Sequence, residues 1–71
     1  MIDCYYYDRT KTSADNPFFH KKACSEEIPM QNDNVIIGNM AYKVIGRVIE
    51  YAEKDTRWYI WLDPRGEAEH I

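Results

Sequence analysis

Short runs of β-branched and aromatic residues, broken by turn-forming residues, run through most of the chain, and this pattern predicts strands rather than helices. The first run, Ile2-Asp3-Cys4-Tyr5-Tyr6-Tyr7-Asp8, predicts a strand. Alternation sends Ile2, Cys4 and Tyr6 to one face and Tyr5 and Tyr7 to the other. Val35-Ile36-Ile37 and Met40-Ala41-Tyr42-Lys43-Val44-Ile45 flank Gly38-Asn39, a pair suited to a two-residue hairpin turn. The second arm continues through Gly46 to Ala52, too long for one flat strand, so a bulge or sharp bend is expected at Gly46. Glu53-Lys54-Asp55-Thr56 turns the chain into a last strand, Arg57-Trp58-Tyr59-Ile60-Trp61-Leu62. Asp63-Pro64-Arg65-Gly66 is expected to close it, because proline cannot donate to a ladder. The tail from Glu67 to Ile71 is expected to be frayed or one helical turn. The inward set is expected to be Val35, Ile37, Val44, Val48, Trp58, Ile60 and Leu62, with Tyr59 and Trp61 outward.

Between Arg9 and Asp33 the pattern weakens, yet a structureless loop of that length is unusual in a compact domain. Asn16-Pro17 offers a cap followed by proline at a first helical position, and Phe19 and Ala23 lie one helical turn apart. These signals predict a short helix over about Pro17 to Ser25. Lys21 and Lys22 early with Glu26 and Glu27 late is the reverse of the order a helix dipole favours, and the alternative is an extended segment.

Seventy-one residues make one domain, 1–71, of which a chain this small buries only about 60% of its unfolded surface. Short strands with a bent glycine strand among them must curl to bury a face. The expected fold is a mainly β, small, strongly bent antiparallel barrel, with the first strand beside the last. Over Ile28-Pro29, Asn32-Asp33-Asn34-Val35-Ile36-Ile37, Gly38 and Tyr42-Lys43-Val44-Ile45-Gly46-Arg47, followed by an aromatic strand, the chain resembles the small SH3-like barrels, with Asn32 standing where their glycine is common. Its brevity, acidity and aromatic richness also resemble accessory proteins of bacteriophages and mobile elements. That resemblance implies an inhibitor acting on a host defence protein in the host cytoplasm.

Nine Lys and Arg against twelve Asp and Glu give a net charge of -3, which offers no general attraction to phosphate backbones or anionic lipid. No apolar run approaches the roughly 20 residues of a membrane span, so a cytoplasmic protein without membrane contact is expected. Cys4 and Cys24 are expected as thiols, not as a disulfide. The soft metal ligands are Cys4, His20, Cys24 and His70, and His20-x3-Cys24 could seat two ligands on one helical turn, but a second tight pair is missing; no metal or cofactor is expected. Cys24 with His20 lacks an assignable orienting residue or oxyanion donor, so catalysis is not expected. Arg9, Lys11, Lys21 and Lys22 could gather near Tyr5, Tyr7 or Phe18, which makes a single-stranded nucleic-acid-binding barrel the alternative function.

Ten aromatic residues exceed what a barrel of this size can hold inside together with its aliphatics. Exposed Tyr and Trp anchor protein interfaces, so the favoured reading is a non-catalytic protein-binding module. Its candidate partner-binding residues are Tyr5, Tyr7, Phe18, Phe19, Tyr59 and Trp61. A homodimer through Tyr5, Tyr7 and Tyr59 is a further expectation.

Overall fold

The computed structural model describes residues 2–11 and 16–67. Five strands, β1 (Ile2–Asp8), β2 (Phe19–Ala23), β3 (Asn34–Ile37), β4 (Met40–Tyr51) and β5 (Thr56–Glu67), form one sheet in the order β2-β1-β5-β4-β3. A single 3-10 turn, Ser25–Glu27, is the one helical element among the described residues. The first strand lies beside the last as expected, but the β1–β5 pair is parallel while the other three pairs are antiparallel. The sheet curls into a half-barrel, and its terminal strands β2 and β3 do not pair with each other.

The region expected to be helical is a strand. Phe19 and Ala23, four apart, share a face on a helix and equally on a strand, where every even spacing does; the spacing therefore could not separate the two. Pairing decides it, with Ile2 opposite Ala23 and Tyr6 opposite Phe19. The Tyr6 and Phe19 rings lie 5.5 Å apart. The acidic pair unsuited to the end of a helix instead occupies the first turn of the 3-10 segment, where Glu27 accepts a 2.9 Å hydrogen bond from the Cys24 amide. That bond holds the Glu27 carboxyl below its ordinary pKa.

The Gly38-Asn39 turn forms as expected, with Gly38 at φ +64 and Ile37 opposite Met40. Asn32 has φ 75, the left-handed conformation for which glycine is ordinarily used, so asparagine fills that role ahead of β3. A register shift falls between Val44 and Gly46, as the sequence suggests. Its consequence reverses one assignment: past the bulge Arg47 opposes Ile60 and Ile49 opposes Trp58, so Val48 turns outward and is 55% exposed. The strand also does not stop at Pro64. A second shift sets Ala41 opposite Gly66 and Tyr42 opposite Pro64. Leu62 accepts from the Arg9 amide, so alternation turns the Pro64 nitrogen to the same side, beyond the end of β1, where no ladder bond is lost. Residues 68–71, which include His70 and most of the tail, and residues 12–15 lie outside the described residues.

The core sits on the concave face. Cys4, Val44, Ile60 and Leu62 are fully buried there with Tyr6, Ala23, Ile28 and Tyr42, and Ile2, Phe19, Val35, Ile37, Met40 and Trp58 pack around them. At one end of β1, the buried Asp8 carboxylate accepts from the Thr10 amide at 2.8 Å and its hydroxyl at 2.6 Å, which satisfies the charge where the strand turns away.

Candidate functional site

The convex face of the sheet carries the aromatic residues that the core cannot hold. Alternation along β1 and β5 points Tyr5, Tyr7, Tyr59 and Trp61 away from the core, and the parallel register sets Tyr5 beside Tyr59 and Tyr7 beside Trp61. The rings form a continuous ladder across three strands. His20 of β2 stacks on Tyr5 at 4.5 Å between centroids, Tyr5 on Tyr59 at 5.6 Å, and Tyr7 on Trp61 at 4.6 Å. A tilted Tyr7–Tyr59 contact at 6.3 Å joins the two halves. Offset and tilted ring pairs of this kind each contribute about 0.5–1.5 kcal/mol beyond burial.

Polar contacts fix the His20 end of the ladder and Tyr59 at its middle. The His20 Nε2 lies 3.0 Å from Asp3 Oδ1. The Tyr59 hydroxyl donates to Glu50 Oε1 at 2.7 Å, and Arg57 lies 3.6 Å from the same carboxylate. Hydrogen bonding to that carboxylate raises the Tyr59 pKa, since a phenolate there would face another anion. Beside the rings, Val48 and Ile45 of β4 are exposed, so the aromatic surface continues into an aliphatic one. Tyr7 itself is buried at 7% exposure, whereas Tyr5, Tyr59 and Trp61 are half-buried and present ring edges.

Phe18 and Phe19 do not join this face. Phe19 packs against the core on the concave side. Phe18, whose amide donates to the Tyr6 carbonyl, reaches across the concave side, where its ring centroid lies 5.4 Å from that of Tyr42. The basic residues of the alternative reading are dispersed: Arg9 pairs with Asp63, Lys22 stands opposite Asp3, and Lys21 stands opposite Cys4. The Arg9 guanidinium holds the Asp63 carboxyl below its ordinary pKa. Both cysteines are free thiols, Cys4 buried and Cys24 exposed, and burial pushes the Cys4 thiol up. His20 lies on a strand, so its spacing to Cys24 is not that of one helical turn.

A groove of about 480 Å³ on the concave side, absent from the sequence reading, is lined by Ser25, Glu26, Ile28, Met30, Asp33, Arg47 and Trp58. Arg47 lies across its floor with its guanidinium 4.6 Å from the Trp58 ring centroid and donates to the Pro29 carbonyl at 3.0 Å. Its cation is therefore already committed to pinning the Ile28–Met30 segment to the sheet. The inward turn of Arg47 follows from the bulge, the one signal that could have located the groove in advance.

Comparison with protein-family models, with curated proteins and with solved structures gives no match. No helix among the described residues is long and apolar enough to cross a membrane.

Proposed function

We propose that this chain is a non-catalytic protein-binding module that docks a partner protein on its convex aromatic face, and that it works as an inhibitor by occupying that partner's working surface. The supporting observation is the ladder of Tyr5, Tyr59, Tyr7 and Trp61 with Val48 and Ile45 at its side, on the sheet face opposite the core. Rigid aromatic rings locked by stacking lose little side-chain entropy on binding, and ring edges with a hydroxyl attached suit a partly wet protein interface. An accessory protein acting on a host defence protein in the host cytoplasm, the type this chain resembles, fits such a mode of action.

The rings argue against base stacking as their task. Their faces are turned to one another, and the neighbouring cations Arg9 and Arg57 are paired with Asp63 and Glu50. Affinity capture from host lysate, run in parallel on the wild-type chain, a Tyr5→Lys/Tyr59→Lys variant and a Met30→Lys variant, tests the reading. A protein retained by wild type and Met30→Lys but lost from the tyrosine variant, with circular dichroism unchanged, supports it. A protein retained equally by all three would overturn the assignment of the face.

A further inference from the structure

The half-barrel leaves two sheet edges, and they differ in chemistry. The β2 edge carries His20, Lys21 and Lys22 in succession, with both lysines exposed. Pairing two copies there about Lys21 would set lysine directly against lysine, and like charges directly opposite are destabilising. The β3 edge, Asn34-Val35-Ile36-Ile37, carries no ionisable side chain, and Ile36 on it is 47% exposed. It has neither proline nor lysine, the usual devices that blunt an edge.

The hydrogen-bond phase of β3 is fixed from both ends. A two-residue hairpin is closed by a bonded pair, here Ile37 with Met40. At the other end the Asp33 carbonyl accepts from the Val44 amide at 2.9 Å. Asp33, Val35 and Ile37 thus direct their backbone groups toward β4, and alternation directs those of Asn34 and Ile36 to the open side.

We propose that two copies of the chain pair antiparallel along β3 about a two-fold axis, joining their half-barrels into one continuous sheet. With Val35 opposite Val35 of the partner subunit, Asn34 falls opposite Ile36 of the partner subunit and the reverse, so the outward groups exchange about four hydrogen bonds. The two Val35 side chains then meet on the concave side, extending the core into which Val35 already packs. The absence of charge along the strand lets two chains of net charge -3 approach there. Pairing β3 of one copy with β2 of another is head-to-tail and would give rings or filaments instead of a two-fold pair. A second copy on β3 leaves the aromatic face uncovered, because β4 separates β3 from β5.

Sedimentation velocity of the full chain from micromolar to millimolar concentration tests the seam, since so short a strand pair makes a weak interface. The wild-type mass should climb from the 8.5 kDa of one chain to twice that value. Ile36→Pro removes a donor that β4 does not use and should remain at one chain's mass throughout, with its urea midpoint retained. Ile36→Lys, which places like charges at the seam, serves as the deciding variant if proline disturbs the hairpin. A mass constant at one chain, a dimer surviving these substitutions, or growth beyond two copies would each overturn the proposal.

Discussion

Val44 and Val48 lie four residues apart on one strand, so unbroken alternation would put both side chains on the same face. The bulge between Val44 and Gly46 separates them, leaving Val44 fully buried and Val48 55% exposed. Truncating Val44 to alanine removes carbon equivalent to two methylenes from the core, about 1.6 kcal/mol of transfer free energy at roughly 0.8 each, and the cavity left raises the total to about 2–3 kcal/mol. Val48→Ala removes the same groups from a position largely in water. Both variants lose the same β propensity, at most about 1 kcal/mol, so their difference isolates burial. Urea unfolding followed by tryptophan fluorescence reads it. With a slope of about 1 kcal/mol per molar for so small a chain, Val44→Ala should lower the midpoint by about 2 M more than Val48→Ala. Equal shifts, or a larger one for Val48→Ala, would refute the bulge-driven change of phase.

The remaining expectations concern single groups. Ile60→Ala, at another fully buried position, should cost about 2–4 kcal/mol in the same assay, and an unchanged midpoint would remove Ile60 from the core. A thiol reagent should label Cys24 rapidly and Cys4 only as the chain unfolds, because the Cys4 thiol is buried and its pKa raised; two equally fast thiols would contradict the burial. Because the folded Asp63 carboxyl is held below its ordinary value of 3.8, its pairing with Arg9 stabilises the fold above that pH and is lost as pH falls through the folded pKa. Asp63→Asn should therefore lower stability by a constant amount at neutral and alkaline pH and converge with wild type as the pH falls through the acid range, and a profile parallel to wild type throughout would show the pair to be inert. Labelled single-stranded oligonucleotide should not bind at micromolar concentration, and a shift that weakened steeply with salt would promote the nucleic-acid reading.

Much of the architecture was legible because it rests on local chemistry. Gly38-Asn39 specifies its turn, the Tyr5-Tyr6-Tyr7 run specifies a strand with rings on both faces, and Gly46 marks the bulge. What local chemistry left open was phase and pairing. Gly46 indicated that a bulge would occur but not how the residues beyond it would face, so Val48 and Arg47 exchanged places and the groove over Trp58 went unseen. The Phe19–Ala23 spacing fits helix and strand alike, and only the hydrogen bonds offered by β1 select between them. Pro64 reads as a stop until the end of β1 is known to leave its nitrogen without a ladder to join. Of the six aromatic candidates, the four on β1 and β5 converge because a parallel register aligns them, a long-range fact, while Phe18 and Phe19 moved to the concave side with the strand that replaced the expected helix.

The claim at the centre of this account is that the convex aromatic face contacts a partner protein, and site-specific photocross-linking measures that contact directly. A photoreactive phenylalanine analogue placed at Tyr59 reports from the ladder, and the same analogue at Met30 reports from the concave groove. Irradiated in cells that express it, the chain with the probe at position 59 should give one discrete protein adduct larger than two copies of itself, and the chain with the probe at position 30 should give none. An adduct at position 30 alone, or a nucleic-acid adduct at position 59, would contradict the account.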